Sequence, residues 1–199
     1  MMPPSFFTQS NVVSIAKNLL GKYLYSEMNG VRTGGIITET EAYSHSNDLA
    51  MQQHLLRRPS SVKTLKSNGG IAYIYNVYGC HSMFNIVTNS ESFADSVLIR
   101  AIEPTEGLEA MAKRRNMTSA NKNLCSGPAK LTQALALTPS LNATSVMNQN
   151  VVWVQDEGND DGNKILSDDI TCSPRIGIDY AEDDATLPWR FTLKRKAPF

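Results

Sequence analysis

The chain predicts an α+β fold, one domain rich in antiparallel strands. Strand-like runs follow one another directly, KYLYSEM then RTGGIITETEAY, and later IAYIYNVYG, SMFNIVTN and SVLIRAIEP. A parallel sheet would need a crossover helix between such runs. Helical spacing is confined to a few short segments, and 199 residues suit a single domain over 1–199 that buries its own core.

SNVVSIAKNLLG (Ser10 to Gly21) reads as a short amphipathic helix with Ser10 or Asn11 as N-cap and Gly21 at its C-terminal end. In the strand that follows, the paired Gly34 and Gly35 predict a bulge or bend. Periodicity disappears between Ser44 and Gly70, which predicts a long loop or short helical turns of functional character. TEGLEAMAKRRN opens acidic and closes basic, as the helix dipole favours. LCSGPAKLTQALAL starts a helix with Pro128 at its first position. VVWVQD, PRIGI and WRFTLK are expected as closing strands, and DEGNDDGN (Asp156 to Asn163) as an exposed acidic turn.

Composition narrows the class. The hydrophobic and charged fractions, 41% and 19%, are those of an ordinary water-soluble globular chain. No apolar run reaches eighteen residues and Met1 to Ser10 lacks a signal-type pattern, so neither membrane insertion nor secretion is expected. Cys80, Cys125 and Cys172 form no C-x-x-C pair, which suits a reducing compartment. His45, His54 and His81 lack zinc-type spacing, so no metal site is expected. Net charge is zero, but residues 1–135 carry thirteen Lys and Arg against nine Asp and Glu, and residues 136–199 carry six against ten. That unevenness fits either a basic binding face or two ordinary solvated ones.

Three stretches could carry chemistry. In ITETEAY, strand alternation places Ile37, Glu39, Glu41 and Tyr43 on one face. Two carboxylates that close repel, so one must be held by a cation or have its proton affinity raised, and a carboxylate so raised can deprotonate water. The bland alternative is a cross-strand salt bridge for each glutamate. In IAYIYNVYGCHSMFNIVTN, Tyr73 and Tyr75 share a face and Tyr78 falls at the turn near Gly79, which offers aromatic surface for a flat ring. Asn85 and Arg100 sit inside apolar strands, where a buried amide needs hydrogen bonds and a guanidinium needs a carboxylate or phosphate.

Together, ETEAY, YIYNVYGCHSMFNIVTN, VLIRAIEPTEGLEAM, LCSGPAKLTQALAL, PRIGI and PWRF resemble, in order and spacing, the alkyladenine (3-methyladenine) DNA glycosylase family, from about Ser10 to Phe191. The resemblance implies a single mixed domain on a curved, largely antiparallel sheet flanked by short helices. It implies a base-excision-repair enzyme that flips a damaged purine from duplex DNA and hydrolyses its N-glycosidic bond. Such an enzyme leaves an abasic site and uses no cofactor and no metal. By the same resemblance Glu41 is the general base, with Arg100 holding the water and nearby backbone. Tyr43 and Tyr75 sandwich the base, Asn85 crowds the 2-amino group of guanine, and Tyr78 wedges into the duplex. A monomer acting on damaged double-stranded DNA is expected, in the cytoplasm at the nucleoid of a bacterium or in the nucleus of a eukaryote.

One segment departs from the family pattern. After ETEAY the family carries D-x-A-x-H and a basic turn ending R-x-T-P-R. Here DLAMQ puts Gln52 where the pocket histidine belongs, and Pro59 and Ser61 replace the threonine and arginine. His54 stands two residues on. The segment therefore also fits a lesion-binding family member that cleaves weakly or not at all. An RNA-binding module on a related fold would have no need of ETEAY.

Overall fold

In the computed structural model, described over residues 1–79, 81–156 and 167–194, the strands form one eight-stranded sheet. Its order is β3 (Ala72–Val77), β4 (His81–Thr88), β5 (Asp95–Glu106), β2 (Val31–Tyr43), β1 (Tyr23–Met28), β6 (Val152–Gln155). Off this path β8 (Arg190–Leu193) pairs with β2 and with β7 (Ile170–Ser173), and every pairing is antiparallel. This is the α+β, antiparallel architecture that contiguous strands predict. PRIGI is not a strand. Pro174 has no N–H for a ladder and Gly177 takes φ +76°, so the strand ends at Ser173 and the run crosses back as irregular backbone. The acidic turn after Asp156 lies outside the described residues.

Curvature comes from β2. Its first half pairs with β1 up to Ile36, and from Glu39 it pairs with β8 instead over Glu39–Glu41, while β5 lies alongside from Gly34 to Tyr43. Changing partners midway curls the sheet into a half-barrel. Register slips against β5 at Gly34/Gly35 and on either side of Glu39. The first slip needs glycine, because a Cβ on Gly35 would stand 2.1 Å from the Glu103 carbonyl oxygen. The second breaks the simple alternation of the sequence. Ile37 enters the main apolar core, together with Ala42, and separates from Glu39, Glu41 and Tyr43.

After the single turn α1 (Pro4–Phe7), helix α2 (Val12–Leu19) packs on β2 and β5 and closes the main core. Asn11 is its N-cap, accepting from the Ser14 amide at 3.0 Å, and Gly21 follows its end at φ +78°. Thr40 bonds the Ala16 carbonyl, so β2 is fastened to α2 directly beside Glu41. In the same core cluster, α5 (Leu108–Arg115) packs on α6 (Pro128–Ala134), and α6 on β4 and β5. The aperiodic segment after Ser44 folds into α3 (Leu49–Arg57), a single 3-10 turn at Pro59–Ser61 and α4 (Val62–Leu65). Two satellite clusters hold α3 over the sheet, one of Met51, Leu65, Tyr73 and Val87, the other of Ala50, Ile178 and Ala181. Tyr43 packs against both. No helix among the described residues is long and apolar enough to cross a membrane.

Candidate active site

Glu41 has no exposed surface. Burying a carboxylate requires donors, and three converge on it. Arg100 of β5 brings Nη1 to 3.2 Å of Oε1, the Ile176 amide donates to the same oxygen at 2.9 Å, and the Tyr43 hydroxyl donates to Oε2 at 2.8 Å. Burial pushes the Glu41 carboxyl above its ordinary range; Arg100, the Ile176 amide and Tyr43 pull it back only in part. Glu39 is half-buried and bridges Arg100 at 2.9 Å and Arg190 at 3.6 Å. The bland expectation thus describes Glu39, a cross-strand ion-pair partner, whereas Glu41 combines an ion pair with full desolvation.

Beside this group opens a cavity of about 740 Å³. Tyr43, Tyr75, Asn85 and Arg100 all line it, and Tyr78 stands at its mouth, 93% exposed, with φ +50° on the turn between β3 and β4. Glu41 itself is not in the wall; Tyr43, Arg100 and Ile176 stand between it and the cavity. Tyr73 and Tyr75 stack with centroids 5.1 Å apart, as a shared strand face predicts, and Ile74 points into the main core. Asn85 is buried and donates to the Tyr73 carbonyl at 3.3 Å.

Gln52 does not belong to this wall. It is exposed on α3, and His54 faces the cavity instead. The helix explains the exchange. Ala50 and Met51 set its buried face, and residue 54 lies three and four positions on, on that same face, while residue 52 turns away. His54 Nε2 lies 2.8 Å from the Tyr73 hydroxyl, and its ring meets the edge of Tyr75 at 4.8 Å. Burial, with Arg58 and Arg57 nearby, pushes its pKa down to about 4.

A buried pair invisible in the sequence holds these parts together. Arg175 reaches both oxygens of Asp48, at 2.7 and 2.8 Å, with both side chains fully buried. Arg175 also donates to the Ala42 carbonyl, and its guanidinium lies 4.7 Å from the centre of the Tyr43 ring and 5.2 Å from that of Trp189. Asp48 in turn caps α3 through the Ala50 amide and accepts from the Ser44 amide. No group of three or more His, Cys, Asp or Glu suited to a metal ion occurs among the described residues.

Two predictions follow from this packing. Arg175→Met leaves Asp48 buried without a counter-ion, and should cost about 3–5 kcal/mol in urea unfolding, part of it recovered when Asp48→Asn is added, which removes the charge and keeps an acceptor for the Ala50 and Ser44 amides. A cost below about 1 kcal/mol would contradict the pairing. The second concerns pH. Between 6.5 and about 4 the unfolded chain binds a proton at His54 that the folded protein refuses, so this residue makes stability fall as pH drops through that window. Glu41, shifted upward, acts with the opposite sign, so the informative quantity is a difference. Denaturation midpoints of wild type and His54→Phe, followed from pH 7 to pH 4, should diverge with the wild type losing more; parallel curves would contradict a neutral His54.

Comparison with known proteins agrees with the architecture. The family described as Methylpurine-DNA glycosylase (MPG) matches residues 5–197. A protein of Chlamydia felis named "Putative 3-methyladenine DNA glycosylase" is 43% identical over 98% of this chain and 97% of its own length. Proteins of the same name align from Chlamydia abortus, 43% identical over 98% of this chain and all of its own length, and from Clostridium acetobutylicum, 37% identical over 95% of this chain and 92% of its own. The chain belongs to the methylpurine-DNA glycosylase family.

Proposed function

We propose that the protein is a monofunctional purine glycosylase that takes an alkylated or deaminated base out of duplex DNA into the cavity and hydrolyses its N-glycosidic bond with water activated by Glu41. The observation that carries this reading is the desolvated Glu41 carboxylate, with raised proton affinity, directly behind a cavity walled by tyrosines. A base so placed accepts the proton of a water that adds to C1′ as the purine departs. Arg100 and Ile176, which touch both Glu41 and the cavity, mark the route by which the water reaches it.

Tyr43 and Tyr75 would stack on the flipped base, and Asn85 would crowd a guanine 2-amino group. Tyr78, almost wholly exposed and packed against little, suits insertion into the gap left in the duplex. His54, rather than Gln52, supplies the imidazole of the pocket. The cavity wall contains no lysine among the described residues, so no amine stands ready to form a Schiff base with the sugar, which supports simple hydrolysis to an abasic site. The partner is double-stranded DNA carrying a damaged purine, met by a monomer in the compartment that holds the genome, and the reaction needs no cofactor.

A second reading has its own support. Glu41 is sealed behind the wall with its donors in place, which fits a lesion-binding protein that cleaves slowly. Single-turnover excision separates the two. With protein in excess over duplexes carrying one hypoxanthine or one ethenoadenine, wild type should generate alkali-labile abasic sites, and Glu41→Gln should slow this by at least about 100-fold. Equal rates in both proteins would remove Glu41 from the chemistry. Lesion-selective binding with no cleavage by either would establish the second reading.

A further inference from the structure

Pro59 and Ser61, where the sequence departs from the family pattern, both act on Arg58. A residue before proline is kept out of the helical region, and Arg58 takes φ −133° and ψ 67° as α3 ends. Its amide donates to the His54 carbonyl at 2.9 Å. Its own carbonyl accepts from the Ser61 amide at 2.9 Å and from the buried Ser61 hydroxyl at 2.7 Å. With its backbone fixed in this way, Arg58 reaches from the end of α3 to the β3–β4 hairpin. Nη2 donates to the Asn76 carbonyl at 2.8 Å, and the guanidinium lies 4.7 Å from the centre of the Tyr75 ring. No carboxylate stands within ion-pair distance of Arg58 among the described residues.

Asn76 precedes Tyr78 by two residues, on a strand at the edge of the sheet. Every second residue of an edge strand turns its backbone N–H and C=O outward, where another group must meet them. At Ala72 they bond the Thr144 carbonyl and the Ala143 amide, and at Ile74 the amide donates to the Asn142 side chain. At Asn76 the outward carbonyl takes Arg58. Of these three supports, Arg58 is the one nearest the turn. On its inner side Asn76 is held as well, its Oδ1 accepting from the Ser82 hydroxyl at 2.9 Å.

The turn has need of such support. Tyr78 and Gly79 take φ +50° and +75°, and a non-glycine residue stays in the left-handed region only where its surroundings hold it there. The Tyr78 side chain, almost wholly exposed, contributes little packing of its own. Pushing a side chain between stacked bases is costly, and less so when the side chain arrives already ordered. We propose, on the base-flipping reading above, that Arg58 is a positioning residue for Tyr78. By tying the hairpin to the end of α3 it presents the tyrosine at the cavity mouth, ready to enter the gap that a flipped base leaves.

The test is a double-mutant cycle between Arg58→Met and Tyr78→Ala in a Glu41→Gln background. The readout is the affinity for a duplex carrying one ethenoadenine, divided by that for the same duplex undamaged. Extrusion of the lesion raises this ratio, whereas a phosphate contact strengthens both complexes alike. Arg58→Met should lower the ratio at least about fivefold with Tyr78 present, and less than about twofold in the Tyr78→Ala protein. Arg57→Met is the control for charge, since Arg57 packs on the Tyr180 ring: its effect on the ratio, whatever the size, should be the same in both proteins. An equal effect of Arg58→Met with and without Tyr78 would overturn the proposal and assign Arg58 to Tyr75 or to the base. Equal weakening of both duplexes would overturn it and assign Arg58 to a phosphate. Excision by the same variants with Glu41 restored is read in parallel. Coupling of Arg58 to Tyr78 without excision upholds the positioning while the hydrolytic reading fails; Glu41-dependent excision without coupling sinks the positioning alone. Equal affinity of the Glu41→Gln parent for the two duplexes overturns both.

Discussion

Keeping an ionisable carboxylate at zero exposure is the constraint around which this structure is arranged. Glu41 sits on the longest strand of the sheet, and desolvation alone would drive it to the neutral form. Its donors come from a neighbouring strand, from the irregular segment after β7 and from two residues further along its own strand. Each must arrive within hydrogen-bond reach, which fixes β2 against β5 and draws residues 174–178 across the end of the sheet. The compensation is incomplete. Fewer donors would raise its proton affinity further, and more would lower it; the three present leave the carboxyl above its ordinary range.

The Arg175–Asp48 pair transmits that arrangement to the cavity. Asp48 caps α3, and α3 carries His54, Arg57 and Arg58. Arg175 is adjacent in sequence to the amide that bonds Glu41, and its guanidinium packs on Tyr43 and bonds the carbonyl of Ala42. The helix that lines the pocket and the strand that bears the carboxylate are therefore set by one buried, bidentate ion pair. Such a pair adds little net stability compared with apolar packing, but it specifies geometry, because breaking it strands a charge in the interior.

Much of this was legible in the sequence, for local reasons. Glu39, Glu41 and Tyr43 share a side because strand alternation has period two, and Tyr73 and Tyr75 for the same reason. Asn85 and Arg100 stood out as polar residues in apolar strands, and each has the partner that burial demands. The side taken by Ile37 was not legible, because the bulge at Glu39 resets the alternation and a bulge depends on the partner strand. Matching Gln52 position by position to a pocket histidine misleads because the phase of a short helix is set by what it buries, here Ala50 and Met51. Arg175 was hidden for a different reason. Its partner is distant in sequence, and PRIGI resembles a strand until Pro174 and Gly177 are given their backbone geometry.

In the proposed hydrolysis, Glu41 is a base whose strength its three donors set. The most direct measurement is the pH dependence of single-turnover excision for wild type and Tyr43→Phe. The wild-type rate should rise with pH through a midpoint above 4.5, as the buried carboxyl ionises. Removing the hydroxyl that donates to Oε2 withdraws support from the charged form, so the midpoint in Tyr43→Phe should move to higher pH, whatever happens to the plateau rate. A rate independent of pH across this range, or a midpoint that stays in place in the variant, would contradict the account.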